Sequence, residues 1–207
     1  MKDNYCTIYL IRHGRTDWND KKLIQGHLDI PLNSEGKTTA REIAKELRKI
    51  KFDKIYSSDS LRASQTAEII ALEHQLTVKT TNALRERNFG KIEGKSHDEF
   101  KKIDPILDSL DHKTRYSYKF SNNMTMESDE EVMTRFLMFL REIAVGNPTK
   151  TILVVTHAGT MWMFLVKLGF YSYKGWISIG NLAYIKLESD GVDFFVKETK
   201  GIKRNDS

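Results

Sequence analysis

Short runs of β-branched and aromatic residues alternate along this chain with longer segments of helical periodicity. Five runs have the composition of strands, and they cover residues 7–12, 53–58, 76–80, 151–156 and 182–187. Between the first two runs, apolar residues recur at the spacing of one helical face, at Ala40, Ile43, Ala44 and Leu47. This alternation predicts an α/β fold, with a mostly parallel central sheet and helices on both faces in a three-layer sandwich.

Two further features complete the predicted topology. Ser128 and Glu131 have the spacing of a capping box, which predicts that a long helix begins there. The last two strands, near 182–187 and 194–196, are separated by a turn at Asp190 and Gly191. They are therefore expected to run antiparallel, unlike the strands before them.

The chain is expected to form a single domain over residues 1–207. Its 207 residues, of which 40% are hydrophobic, are sufficient for one substantial core. The stretch 94–127 is the least regular part, and we expect it to be a short cap or lid insertion within that domain. Loops carry specificity more often than framework elements do, so substrate choice is expected to depend on this segment.

The charge pattern, the apolar stretches and the cysteine content argue against a nucleic-acid-binding, membrane or secreted protein. The formal net charge is +5, but Lys and Arg are interleaved with Asp and Glu, which is typical of solvated faces rather than of a nucleic-acid-binding surface. The basic stretch 197–207 is expected to be a solvated tail. The apolar stretches are too short to predict a membrane span. The single cysteine, Cys6, and an N-terminus without a signal pattern predict a cytoplasmic location.

Basic residues follow three of the predicted strands. In an open parallel sheet, ligands bind beyond the carboxyl ends of the strands. Arg12 and His13 end the first strand, Arg62 follows the second, and His157 follows the strand at 151–156. Guanidinium groups bind phosphate oxygens in bidentate fashion, and helix N-termini add backbone donors. The four residues together predict a phosphate site at this edge of the sheet.

The histidines and one carboxylate indicate phosphoryl transfer. Cationic neighbours lower the pKa of a histidine, so His13 is expected to be a neutral nucleophile that forms a phosphohistidine. His157 is expected to stabilise the phosphoryl oxygens. Glu86 follows the third strand, where burial and a nearby phosphate would favour its protonated form as a general acid. Arg85 and Arg87 would oppose this if they pointed inward, and a Glu between two arginines is more often part of a surface ion pair.

Five motifs in this order resemble the histidine phosphatase superfamily, in its phosphoglycerate-mutase-like branch. They are LIRHG with Thr16, Trp18 and Asn19, then QGHLDIPLNSEG, SSDSLRASQTA, LRERNFGKIEG and VVTHAG. The resemblance covers nearly the whole chain. It implies that His13 is the phosphorylated nucleophile and Glu86 the proton donor, and that the phosphate pocket is completed by Arg12, Arg62 and His157.

The resemblance also implies further substrate-binding residues. These are Asn19, the pair Gln25 and Gly26 in the second motif, and the backbone at Ala158. The family uses no metal, and the resemblance implies no other cofactor. It is also compatible with a homodimer.

Two positions depart from the family pattern. Arg15 stands where many relatives have an acidic residue or Gln, and it either adds positive charge near the pocket or pairs with an acidic neighbour. Met126 stands where a glycine is common, which leaves open the local turn and the contact made by Glu127. The remaining histidines are expected on the surface or in loops, at His27, His74, His97 and His112.

Three functions fit these residues: a phosphomonoesterase, a cofactor-dependent phosphoglycerate mutase, and a catalytically silent phosphate-binding module. The silent module is the weakest, because the pocket residues and the acid are all present. Mutases that resemble this chain have more sequence between the acid and the second histidine, here the interval from Glu86 to His157. A shorter cap admits water to the phosphohistidine. The sequence therefore favours a phosphatase acting on small phosphorylated metabolites, without selecting among them, and with no nucleic-acid or membrane partner.

Overall fold

A six-stranded sheet forms the centre of the structure, a computed structural model that describes residues 4–103, 107–120, 125–173 and 177–204. The strands are β1 (Cys6–Arg12), β2 (Lys54–Ser58), β3 (Val78–Thr81), β4 (Thr151–Thr156), β5 (Ile177–Ser189) and β6 (Phe194–Arg204). Their order across the sheet is β3-β2-β4-β1-β5-β6. The first four in sequence run parallel, and β5 and β6 pair antiparallel, as predicted.

Helices cover both faces of the sheet. They are α1 (Asp17–Asp20), α2 (Ser34–Leu47), α3 (Leu61–His74), α4 (His97–Ile103), α5 (His112–Tyr116), α6 (Asp129–Val145) and α7 (Ala158–Lys167). α2 and α3 bury Leu47 and Ile70 against one face. α6 and α7 bury Phe136 and Phe164 against the other. The predicted three-layer α/β fold is confirmed. Of the helices in the described ranges, none is long and apolar enough to cross a bilayer.

The predicted capping box at the start of α6 is also confirmed. The Ser128 side chain accepts a hydrogen bond from the backbone of Glu131, whose own side chain accepts from the backbone of Ser128. These contacts satisfy amide groups that a helix N-terminus leaves unpaired. α6 therefore begins at a fixed point beside the sheet.

The last two strands are longer than predicted. A register irregularity lies between Ile179 and Tyr184, and Leu182 has a φ of 61°, which breaks the alternation expected of a strand. The expectation of a tail at 197–207 is wrong for the residues up to Arg204, because they belong to β6 and pair with β5, but most of them are exposed to solvent, as expected. The end of that stretch, 205–207, lies outside the described residues.

A second, smaller core lies away from the sheet. Its apolar side chains come from residues before the predicted insertion and from the insertion itself, and the buried ones are Ile24, Ile92, Leu107, Phe120 and Met126. In its described part, the segment 94–127 forms α4, a 3-10 helix at Leu107–Ser109, and α5. Positions 104–106 and 121–124 lie outside the described residues. A cap or lid role for 94–127 stays a prediction.

Candidate active site

His13 lies at the carboxyl end of β1 and is 3% exposed. Its Nδ1 is 2.7 Å from the carbonyl oxygen of Gly14. Because a carbonyl oxygen only accepts, Nδ1 carries the ring proton and Nε2 carries the lone pair. Burial lowers the pKa of His13 well below its usual range, and Arg62 and Arg12 lower it further. At neutral pH the ring has the form that a nucleophile requires.

Arg62, in the first turn of α3, fixes the second histidine. It donates to the carbonyl oxygens of Leu28 at 2.9 Å and Gly26 at 2.8 Å, and to Nδ1 of His157 at 3.2 Å. A guanidinium has no acceptor, so Nδ1 of His157 is unprotonated and the proton is on Nε2, which lies 3.4 Å from the Ser60 hydroxyl. Burial lowers the pKa of His157 well below its usual range, with Arg62 the next cause. The neutral ring can donate a hydrogen bond to an anion.

The structure brings together the four basic residues predicted from the strand ends. The rings of His13 and His157 have centroids 5.2 Å apart. Arg12 donates to the carbonyl oxygen of Ile179 at 2.5 Å. Among the described residues, the buried Nε atoms of Arg12 and Arg62 have no hydrogen-bond partner. Burial lowers the pKa of each guanidinium to about 10, so both remain cationic at neutral pH. Such a site favours an anion with several oxygens.

Glu86 reaches this site at the N-terminus of α7. Its Oε2 accepts from the backbone amide of Gly159 at 2.9 Å, and its Oε1 lies 3.2 Å from the Thr160 hydroxyl. His157 is the N-cap of the same helix. A Cβ atom on Gly159 would come within 2.6 Å of Oε1, so the glycine makes room for the carboxyl group. The predicted acid and the second histidine are thus held by one helix end.

The arginines that flank Glu86 pair with other carboxylates. Arg85 makes two hydrogen bonds to Asp59, at 2.6 and 2.9 Å. Arg87 points inward and is 8% exposed, which is the arrangement expected to oppose the acid role of Glu86, and its guanidinium forms an ion pair with Asp129. The alternative in which Glu86 belongs to a surface ion pair with its neighbours is therefore wrong.

Asn19 and Gln25 contact the loop that follows β1. Oδ1 of Asn19 accepts from the backbone amide of Thr16 at 3.1 Å, in a capping box at the start of α1. Oε1 of Gln25 lies 3.1 Å from the Thr16 hydroxyl. Both side-chain oxygens thus hold the loop, and substrate binding by either residue stays a prediction.

Gly26 and Ala158 place backbone groups at the site. Gly26 has a φ of 49°, and its carbonyl oxygen accepts from Arg62. Ala158 is the first residue of α7. A helix N-terminus presents amide groups that suit an anion. Contact of either residue with substrate remains a prediction.

The two departures from the family pattern have clear local explanations. Arg15 forms ion pairs with Asp20 and Glu35, so the pairing alternative is confirmed. Met126 is buried in the smaller core, and the positive φ in this turn, 52°, falls on Thr125. The chain therefore turns without a glycine at position 126.

Two residues that were not predicted from the sequence hold the loop that carries His13. The Thr66 hydroxyl accepts from the backbone amide of Gly14 at 3.0 Å. Asn181 donates from Nδ2 to the carbonyl oxygen of His13 at 3.1 Å. These contacts join β1 to α3 and to the irregular part of β5. No local pattern marks either residue.

His27 lies in a loop, as expected, but it also contacts the segment that carries Glu86. It is half-buried, and its Nε2 lies 2.9 Å from the carbonyl oxygen of Glu86. His74 is half-buried against Phe52. His97 and His112 are exposed, as expected.

The chain belongs to the histidine phosphatase superfamily, branch 1, whose family model matches residues 8–200. It is 38% identical over 168 residues to phosphoglycerate mutase-like protein 4 of Arabidopsis thaliana, covering 76% of this chain and 69% of the relative. It is 32% identical over 180 residues to a broad-specificity phosphatase of Saccharomyces cerevisiae, covering 83% and 74%. The crystal structure of a phosphoserine phosphatase from Entamoeba histolytica with 3-phosphoglyceric acid matches with a TM-score of 0.74 at 26% identity, covering 94% and 96%.

Proposed function

We propose that this chain is a phosphomonoesterase that hydrolyses small phosphorylated metabolites through a phosphohistidine on Nε2 of His13. The observation that carries the proposal is the 2.7 Å contact of Nδ1 with the Gly14 carbonyl oxygen, which leaves the other ring nitrogen unprotonated among two arginines and a second histidine. Family membership and the phosphatase names of relatives support the same reaction class.

In the first step, Nε2 of His13 attacks phosphorus and the bond from phosphorus to the leaving oxygen breaks. Arg12 and Arg62 bind the phosphoryl oxygens through their N–H groups, and Nε2–H of His157 donates to one of them as charge redistributes. Glu86 gives its proton to the leaving oxygen, so an alcohol departs.

In the second step, water attacks the phosphohistidine. Glu86, now a carboxylate, takes a proton from the attacking water, and the bond from Nε2 to phosphorus breaks. Inorganic phosphate leaves, His13 is again neutral, and Glu86 is again protonated. The cycle consumes one water for each ester bond broken.

A cofactor-dependent phosphoglycerate mutase is the alternative, and the identity with phosphoglycerate mutase-like protein 4 favours keeping it. A mutase returns the phosphoryl group to a second hydroxyl, whereas a phosphatase transfers it to water. The short interval between Glu86 and His157 supports water access and thus hydrolysis. Because the Entamoeba phosphatase was crystallised with 3-phosphoglyceric acid, small phosphorylated carboxylates are the first substrates to test.

The test is a rapid quench with 3-phosphoglycerate labelled in its phosphoryl group. We expect an acid-labile, alkali-stable phosphoprotein that is lost in His13→Ala and retained in His97→Ala, since His97 is exposed on α4. The same samples are analysed for inorganic phosphate and for 2-phosphoglycerate, which separates hydrolysis from mutase activity. An undiminished adduct in His13→Ala would overturn the proposal.

The cellular location, the domain organisation and the assembly of the protein are also proposed. We infer a cytoplasmic protein with one domain over 1–207, a cap at 94–127, and a homodimer as a possible assembly. Cys6 is buried in β1, and burial raises its pKa to about 11, which supports a thiol that stays reduced. Light scattering of the purified chain measures the assembly directly.

A further inference from the structure

One arginine outside the phosphate pocket holds the chain segment that carries Glu86. Arg135, on α6, donates from Nη1 to the carbonyl oxygens of Ala83 at 3.0 Å and Arg85 at 2.7 Å. Its Nη2 donates to the carbonyl oxygen of Glu86 itself at 2.8 Å. Residues 85–89 belong to no helix or strand, so their backbone groups depend on such partners. A single guanidinium thus fixes the path of this segment.

Glu127 in turn fixes Arg135. Nε and Nη2 of Arg135 donate to the two carboxylate oxygens of Glu127, at 3.0 and 2.9 Å. Burial raises the pKa of Glu127, but the hydrogen bonds from Arg135 and from the backbone of Asn88 outweigh it, and the pKa is lower than usual. Glu127 is therefore an anion and an orienting partner, and it is poorly suited to be the proton donor.

The backbone and the side chain of Glu86 are therefore both fixed by hydrogen bonds. The carbonyl oxygen is bound by Arg135 and by Nε2 of His27, and the carboxyl group rests on the N-terminus of α7. Misplacement of a reacting group by about 1 Å can cost about 10²-fold in rate. The guanidinium group of Arg135 has five N–H donors in one plane, so it can bind three carbonyl oxygens and a carboxylate at once. The compact ammonium group of a lysine cannot.

We propose that Arg135 is a positioning residue that fixes where the carboxyl group of Glu86 stands relative to the leaving-group oxygen. It acts through the backbone of Glu86, because its described hydrogen bonds go to Glu127 and to the three carbonyl oxygens. The inference rests on the proposed role of Glu86 as general acid.

The experiment compares two substrates in Arg135→Lys, Glu86→Gln and the double variant. 3-Phosphoglycerate has a strongly basic leaving oxygen and needs the acid, whereas 4-nitrophenyl phosphate needs it far less. We expect Arg135→Lys to lower kcat/KM for 3-phosphoglycerate by about 10²-fold, and that for 4-nitrophenyl phosphate by a few-fold at most. Arg141→Lys, an exposed arginine on the same helix, is the control and should match the wild type.

The double variant tests whether the two residues act in one function. With Glu86 already replaced, Arg135→Lys should have no further effect on 3-phosphoglycerate, because the acid that it positions is gone. Equal losses on both substrates, additive losses in the double variant, or no loss in Arg135→Lys would overturn the inference. If Glu86→Gln lowers kcat/KM equally for the two substrates, the proposed acid role of Glu86 is wrong. That result differs from one in which Glu86→Gln is selective and Arg135→Lys is not, which would overturn the inference about Arg135 alone.

A melting curve accompanies each variant to detect loss of fold. If Arg135→Lys does not fold, Glu127→Gln replaces it, since this change keeps the shape of the side chain while weakening the orientation of Arg135. In Glu127→Gln we again expect kcat/KM to fall for 3-phosphoglycerate and not for 4-nitrophenyl phosphate, but by a smaller factor than in Arg135→Lys. Equal losses on both substrates in that variant count against the inference.

Discussion

Arg62 donates from Nη2 to Nδ1 of His157 at 3.2 Å, and this contact decides which nitrogen of the second histidine carries the proton. The remaining Nε2–H can donate to a phosphoryl oxygen without the ring being charged. Arg62 therefore supplies positive charge to the pocket and also sets the tautomer of its neighbour.

Replacing Arg62 by lysine should affect both of these properties. A lysine keeps the charge but cannot hold the carbonyl oxygens of Gly26 and Leu28 together with His157. We expect Arg62→Lys to lower kcat/KM by about 10²- to 10³-fold, and to weaken inhibition by vanadate. Arg48→Lys, at an exposed ion pair, is the control. Activity within a few-fold of the wild type would contradict the assignment.

Gly159→Ala should displace the acid without unfolding the protein. The added methyl group would come within 2.6 Å of Oε1 of Glu86, while alanine is well tolerated in the first turn of a helix. We expect kcat/KM for 3-phosphoglycerate to fall by about 10²-fold, with an unchanged melting temperature. Gly146→Ala adds the same group at the end of α6 and serves as the matched control. Full activity in Gly159→Ala would show that Glu86 is not held where the structure places it.

The buried histidines should make stability fall in mild acid. In the unfolded chain, His13 and His157 bind protons below about pH 6.5, whereas in the folded chain their pKa values lie well below that. The unfolded state then binds more protons, so the unfolding free energy decreases as pH falls, by up to about 1.4 kcal/mol per pH unit for each histidine. Above about pH 6.5, both histidines are neutral in the folded and the unfolded chain, so their contribution to the unfolding free energy no longer changes with pH.

Urea unfolding between pH 5 and 8 measures this dependence. His74 also has a pKa lowered by burial, so the informative quantity is the difference between the wild type and His13→Asn. The variant should show a shallower loss of stability in acid, because one of the titrating groups has been removed. Identical slopes in the two proteins would contradict the burial of a neutral His13.

Removing one partner of the ion pair of Arg87 and Asp129 should destabilise the fold strongly. Both side chains are buried, burial lowers the pKa of Arg87 to about 10, and Asp129 also accepts from the hydroxyl of Tyr173 at 2.6 Å. Asp129→Asn leaves a buried charge unpaired, which costs about 3–5 kcal/mol. Tyr173→Phe removes one hydrogen bond and should cost about 1 kcal/mol. Equal, small losses in urea unfolding would show that the pair is solvated.

Activity should be independent of divalent metal ions. Arg12 and Arg62 supply the positive charge that a metal would otherwise provide, and in the described part of the chain no three His, Cys, Asp or Glu side chains are grouped to hold an ion. A chelator should leave kcat/KM unchanged, while vanadate should inhibit. Strict dependence on added magnesium would refute this expectation.

The basic residues of the site could be predicted because their positions follow from local patterns. Arg12 and His13 end an apolar run, and His157 stands between a strand and a helix, so the parallel sheet alone brings them to one edge. Glu86 follows a strand less closely, and its placement depended on the family resemblance.

Residues that act through long-range contacts could not be predicted in this way. Arg135 is separated from Glu86 by 49 positions, and Asn181 from His13 by 168. A charged residue on a long amphipathic helix usually faces solvent, so nothing in the sequence near Arg135 marked it. The part of β6 after Val196 was not predicted for a related reason, since its many polar residues hide the pattern of a strand.

The two edges of the sheet differ in how they discourage association with another sheet. β3, at one edge, has only four residues, which offers a short template for pairing. β6, at the other, has 11 residues but carries lysines at 197, 200 and 203. Lysines on an exposed edge oppose the addition of a further strand. Pairing of β6 with a strand of another molecule, as occurs in aggregation, is therefore disfavoured.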